Sequence, residues 1–305
     1  MKPLKPPPLR AGDKIGIVAP AGAVEGELLR QGSNAIVQAG FQVELAQGIL
    51  ERKGYLAGDK SQRAKALQDF FCRPDIKAIF CARGGFGSVH LLPLLNAGTI
   101  KRHPKIFVGY SDVSILLNWF LQQCGMVTFH GPMVAKELAR GLEGRNRDFF
   151  WDTLLGKNSQ WKIETGEAIR PGTAEAPLVG GCLSAIVTTL GTPYEIGTAG
   201  KILFLEDVGE KPYRIERMLT HLQMAGKLEG IAGVILGDFV ECEGEGEAGL
   251  QQIFKEFFRK VPYPVVSGLA AGHGEVNLLL PFGVTMALNG KAGILSLLES
   301  PVAQS

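Results

Sequence analysis

Ile106-Phe107-Val108-Gly109-Tyr110-Ser111-Asp112 is an apolar run that stops at a glycine and presents a serine just before helical spacing begins. Read as strand, turn and helix, it puts a hydroxyl at the carboxyl end of a buried strand, where open α/β sheets gather their ligands. A serine hydroxyl is a weak nucleophile at neutral pH. It needs a base, a group to orient that base, and donors for the oxyanion that forms. The run matches the G-x-S-x-G nucleophile elbow only in part, because the second glycine is missing. Val113, Leu116, Leu117 and Phe120 follow at helical spacing, which predicts Ser111 at a helix N-terminus, where partial positive charge favours an anion. A plain N-cap would show the same pattern.

Outward from this run the same beat repeats. Residues 14–19 read as a buried strand ending at Pro20-Ala21-Gly22, 27–39 as a helix, 40–45 as a strand and 61–71 as a helix. Residues 78–82 read as a third strand ending at Arg83-Gly84-Gly85, 89–96 as a helix and 106–108 as a fourth strand. Alternating strands and helices predict an α/β domain with a parallel sheet covered on both faces. Near Gly141 the beat breaks into charged residues, and 156–177 is polar with Gly166, Pro171 and Gly172. The expected organisation is an N-terminal α/β domain over 1–155, a linker over 156–178 and a second domain over 179–305. That second domain reads as mixed α and β, with strands at 201–205, 233–236 and 284–288 and helices at 214–225 and 250–260.

Composition narrows the function classes. The 305 residues are 46% hydrophobic and carry a formal net charge of +2 without long blocks of one sign, so neither nucleic acid nor an anionic membrane is an expected partner. No run reaches the ~18 apolar residues of a membrane span, and the Pro-rich start lacks the apolar core of a secretory signal. Five scattered cysteines without a C-x-x-C pair point to reduced thiols and a cytoplasmic setting.

Four constellations could carry chemistry. The loop Arg83-Gly84-Gly85-Phe86-Gly87-Ser88 has the spacing of neither a dinucleotide fingerprint nor a P-loop; its bare backbone N–H groups suit an oxyanion, and a tight strand-to-helix turn would look the same. In Leu203-Phe204-Leu205-Glu206-Asp207 an apolar strand ends in carboxylates, and a carboxylate set against such a run needs a hydrogen-bonded partner. Among five histidines, His273 in Gly272-His273-Gly274 sits in a turn that lets a ring project, with His130 as the rival base; His90 and His221 fall in helical stretches. No zinc-site spacing is present. The acidic stretch Glu241-Cys242-Glu243-Gly244-Glu245-Gly246-Glu247 does not fit a calcium loop and reads as a solvated loop.

Taken together, Gly12-Asp13-Lys14-Ile15, Val18-Ala19-Pro20, Arg83-Gly84-Gly85-Phe86-Gly87, Gly109-Tyr110-Ser111-Asp112, His130-Gly131-Pro132-Met133, Leu205-Glu206-Asp207, Gly237-Asp238-Phe239 and Gly272-His273-Gly274 resemble, nearly end to end, the LD-carboxypeptidases. These are serine peptidases that also include microcin C immunity peptidases. The resemblance implies a Ser, Glu, His triad falling on Ser111, Glu206 and His273, with an oxyanion hole at the backbone N–H groups of Asp112 and Gly85. It also implies an N-terminal domain like class I glutamine amidotransferases, a smaller C-terminal swivelling α/β domain, a homodimer, and no metal or cofactor. Phe86 stands where Tyr is common, and Cys182 where Asn is common.

The expected reaction is hydrolysis of the L,D amide between diaminopimelate and the terminal D-Ala of a murein tetrapeptide, a small peptide substrate. Arg83 and Arg214 are candidates for the substrate carboxylate, with Tyr110 beside the nucleophile as a further substrate-binding candidate. Two alternatives stand: a microcin-type peptidase acting on aminoacyl nucleotides, with Trp161 as the platform for the base, and a non-catalytic ligand-binding module.

Overall fold

Lys14–Val18 (β1) is buried along almost its whole length rather than alternating, the mark of a strand covered on both faces. One cover is the helix Lys60–Cys72: a Cβ on Gly16 would lie 2.4 Å from Cδ2 of Phe70, so only glycine lets that helix approach so closely. In the computed structural model, which describes residues 3–243 and 249–304, β1 pairs in parallel with Gln42–Leu45 (β2) and Ile76–Cys81 (β3). Ile106–Gly109 (β4) pairs in parallel with β3, and Thr128–His130 (β5) with β4. The resulting order, β5-β4-β3-β1-β2, is doubly wound, with its switch point between β1 and β3. The turns after those two strands meet there, Gly22 N–H donating to Gly84 O at 3.0 Å. The rings of Phe71, Phe107 and Phe120 form the adjoining core, Phe120 lying 5.2 Å and 4.8 Å from the other two.

Two expectations in this half are revised. The helix predicted over 89–96 is a 3₁₀ segment, Ser88–Leu94, because Pro93 lies inside it and Asn96 then caps a separate short helix, Ala97–Lys101. The helix predicted after Ser111 is a 3₁₀ turn (Ser111–Val113), a short α-helix (Ser114–Trp119) and a π turn (Phe120–Cys124).

The stretch expected as a linker instead supplies sheet. Trp161–Glu164 (β6), Ala168–Arg170 (β7) and Thr173–Cys182 (β8) join Ile202–Val208 (β9), Gly233–Val240 (β10) and Val265–Ser267 (β11). After Leu280–Phe282 (β12), Thr285–Asn289 (β13) and Ile294–Leu297 (β14) complete an eight-stranded sheet of order β6-β14-β13-β8-β9-β10-β11-β7. Its centre, β8 to β11, is parallel and its flanks antiparallel. β6 and β7 are edge strands with polar, alternately exposed residues, so their composition resembles a connection although their backbones pair. β12 lies instead at the end of the first sheet, beside β5.

The chain divides into two compact units, one comprising Met1–Asn158, Leu278–Pro281 and Pro301–Ser305, the other Ser159–Asn277 and Phe282–Ser300. Residues 244–247 of the acidic stretch lie outside the described residues. Among the described residues no helix is long and apolar enough to cross a membrane, and none of the five cysteines forms a disulfide.

Candidate active site

Ser111 has φ of 62°, and it and Glu241 are the two non-glycine residues at positive φ among the described residues. A side chain held there is strained, and strain of this kind concentrates at functional turns. The turn is forced from below. Gly109 has no room for a Cβ, which would lie 2.8 Å from Cγ1 of Val113. Tyr110 is extended and wholly buried, its hydroxyl donating to Glu137 Oε1 at 2.6 Å and accepting from the Lys136 ammonium. Glu137 also accepts the Met133 N–H at 3.0 Å. Tyr110 is therefore a support under Ser111, its side chain wholly buried. The rival base His130 is likewise fully buried, its ring 5.6 Å from that of Tyr110. Because the helix after Ser111 begins as a 3₁₀ turn and stays short, local N–H groups rather than a long macrodipole would serve an anion here.

The Gly-rich loop lies against the nucleophile. A Cβ on Gly84 would sit 2.7 Å from Ser111 Cβ and 2.8 Å from its Oγ, and Gly85 and Gly87 hold φ of 109° and 125°. Asp112 ties loop to elbow, its buried carboxylate accepting the Ser88 N–H at 2.8 Å. Burial pushes that carboxyl up, while the backbone N–H groups of Ser88 and Gly87 and the charge of Arg63 act against the shift. Arg63, itself buried, donates from Nη1 to Gly87 O at 3.0 Å and also to Pro20 O. The sequence offers Asp112 as a backbone donor or an N-cap, and the place of Arg63 in a polar helical stretch carries no signal. Arg83 is exposed and donates to Ala23 O at 3.0 Å. Phe86 lies between Tyr55 and His90, its ring 6.0 Å and 5.1 Å from theirs.

In the second unit Glu206 lies in the buried part of β9 with no exposed surface, and Asp207 beside it closes that part. His273 Nδ1 lies 2.6 Å from Glu206 Oε2, a contact between residues 67 apart in sequence. A bond at Nδ1 orients the imidazole and stabilises its cation, leaving Nε2 as the nitrogen for proton exchange. Asp207 serves a different purpose, accepting Ser184 N–H at 2.7 Å, Ser184 Oγ–H at 3.1 Å and its own neighbour Val208 N–H at 2.9 Å. Cys182 stands in register beside Glu206 and turns its thiol to Asp207 Oδ1 at 3.5 Å. Burial and the two carboxylates push that thiol up, so it stays protonated and donates. Arg214 is exposed, 3.5 Å from Glu210 and stacked over Tyr213. Trp161 lies within edge strand β6, paired with Leu297. Among the described residues no group of three or more His, Cys, Asp or Glu could hold a metal ion.

The strained serine behind a Gly-rich loop, and the Glu–His pair at the end of a parallel strand, fall inside two matched family models. Residues 15–131 match the LD-carboxypeptidase N-terminal domain and residues 175–288 the LD-carboxypeptidase C-terminal domain. A probable murein peptide carboxypeptidase of Bacillus subtilis is 36% identical over 295 residues, covering 93% of this chain and 91% of the relative. The murein tetrapeptide carboxypeptidase of Pseudomonas aeruginosa is 32% identical over 290 residues, covering 91% and 93%. The crystal structure of a muramoyltetrapeptide carboxypeptidase from Oxalobacter formigenes superposes with a TM-score of 0.84 at 28% identity, covering 93% of this chain and 97% of that one. On matches that run through both units and over nearly the full length of its relatives, the chain belongs to the LD-carboxypeptidase family.

Proposed function

We propose that this protein is a serine carboxypeptidase that removes the terminal D-Ala of murein tetrapeptides by hydrolysing its L,D amide to diaminopimelate. The observation that carries the reading is the 2.6 Å contact of His273 with Glu206, the geometry of a base held by its orienting acid. In this mechanism His273 Nε2 takes the proton of Ser111 Oγ as the oxygen attacks the amide carbon, and Glu206 stabilises the imidazolium. The N–H groups of Asp112 and Gly85 receive the oxyanion, each worth about 3 kcal/mol in the transition state. The imidazolium then protonates the departing D-Ala nitrogen, and water activated by the same base releases the acyl group from Ser111. Arg83 and Arg214 are the proposed partners of the substrate carboxylates. The names of the carboxypeptidase relatives support the substrate class, the absence of disulfides among five cysteines supports action in the cytoplasm, and the family resemblance supports a homodimer.

The test is chromatography of products after incubation with a murein tetrapeptide, a pentapeptide and an aminoacyl sulfamoyl adenosine. D-Ala is expected from the tetrapeptide, and S111A should lower its release about a million-fold while leaving the circular dichroism spectrum unchanged. Release from S111A at the parent rate would remove the serine mechanism; product from the nucleotide analogue alone would reassign the substrate.

A further inference from the structure

β10 does not run in simple register along β9. Leu236 pairs with Leu205 and Phe239 with Asp207, so Gly237 and Asp238 together stand opposite Glu206. A bulge of this kind bends a strand and re-aims a side chain. Here it receives the loop that carries His273. The Asp238 N–H donates to Ala271 O at 3.0 Å, and a Cβ on Gly237 would lie 2.5 Å from that same oxygen. The Asp238 carboxylate packs against Gly274, where a Cβ would lie 2.4 Å from Asp238 Oδ2 and 2.8 Å from its Cγ. On the other side of the histidine, a Cβ on Gly272 would lie 2.6 Å from Glu206 Oε2, and the Gly272 N–H donates to Asn277 Oδ1 at 3.0 Å. Carboxylates pressed against both glycines around His273 leave no room for a side chain at either, and Gly272 also holds a φ of 122° that favours glycine.

We propose that Asp238 is a positioning residue for His273, gripping its loop through Gly274 and adding a second negative charge that favours the imidazolium formed during catalysis. This rests on the triad reading. The charged groups that act on Asp238 are Glu206 on β9 and His273 on the loop, while β11, Val265–Ser267, carries none. Burial and the Glu206 charge push Asp238 up to about 6, against the opposing pull of the Gly274 N–H and His273. Above that pH the second charge is present; below it, Asp238 is neutral and His273 loses the support.

The experiment is the pH profile of kcat/KM for tetrapeptide hydrolysis by the parent, D238N and D238E. D238N keeps the shape of the side chain packed against Gly274 but removes the charge. A base without a neighbouring anion is protonated less readily, so the acidic limb should move down by about one pH unit. The plateau should fall about ten-fold, and KM should hold within about two-fold. D238E retains the charge and should keep the limb near the parent's. A purely structural role would lower the plateau with the limb in place. An unmoved limb in D238N, or an equal shift in D238E, overturns the proposal. H273A separates the two readings: if it keeps parental activity, the triad itself falls; if it is inactive and the D238N limb stays put, only the role of Asp238 falls.

Discussion

Gly84 is glycine because Ser111 occupies the space its side chain would need. G84A should therefore push the hydroxyl aside by a fraction of an ångström to an ångström, a displacement that costs about 100-fold in kcat when a reacting atom is misplaced. Its signature in steady-state kinetics is a fall in kcat with cooperative thermal unfolding intact; a variant as fast as the parent would show that the loop yields instead. The residues with the strongest local signals were legible in the sequence, Ser111 at a strand end and Glu206 closing an apolar run. Asp238 stands after an apolar run in the same manner as Glu206, so the criterion that singled out one carboxylate applied to both. A tyrosine next to a nucleophile looks the same in sequence whether its hydroxyl faces solvent or, as here, Glu137.

At the scale of elements, the elbow depends on a tie between the end of β4 and the segment Val134–Leu138. Y110F removes the hydroxyl that Glu137 accepts and leaves Lys136, 3.4 Å from Glu137 Oε1, as that oxygen's ion-pair partner. The expected cost is about 1–2 kcal/mol of stability, read from urea unfolding as a lower midpoint with unchanged slope. An unshifted midpoint would mean the tie contributes nothing. Elements whose apolar spacing is continuous, β1, β3, β4 and β9, were legible because their burial on both faces is written in the residues. The segment 156–178 was not: β6 and β7 alternate polar and half-buried residues at a sheet edge, and an edge strand carries too little apolar signal to distinguish it from a linker. The 3₁₀ segment at Ser88–Leu94 escaped for a comparable reason, since its apolar spacing fits a helix while Pro93 denies it a backbone donor.

At the scale of the molecule, the first unit is not contiguous in sequence, because Leu278–Pro281 and Pro301–Ser305 belong to it. β12 pairs at the end of its sheet beside β5, Leu279 packs within 2.6 Å of the place a Gly131 Cβ would take, and Ala303 N–H donates to Pro6 O at 2.8 Å. A fragment ending at Asn158 should therefore leave β5 as an unprotected edge. Its Thr128–His130 amides should exchange with solvent faster than in the whole chain; equal protection would make the returning segments dispensable. The sequence alone determined the alternation of strands and helices, the glycine turns after the strands and the candidates Ser111, Glu206 and His273, because periodicity and turn chemistry are local properties. Only the tertiary structure decided that Glu206 bonds His273 across 67 residues, that Tyr110 is buried, and that a bulge turns Asp238 to the histidine loop. Those outcomes depend on strand register and burial between remote segments, which no local pattern encodes.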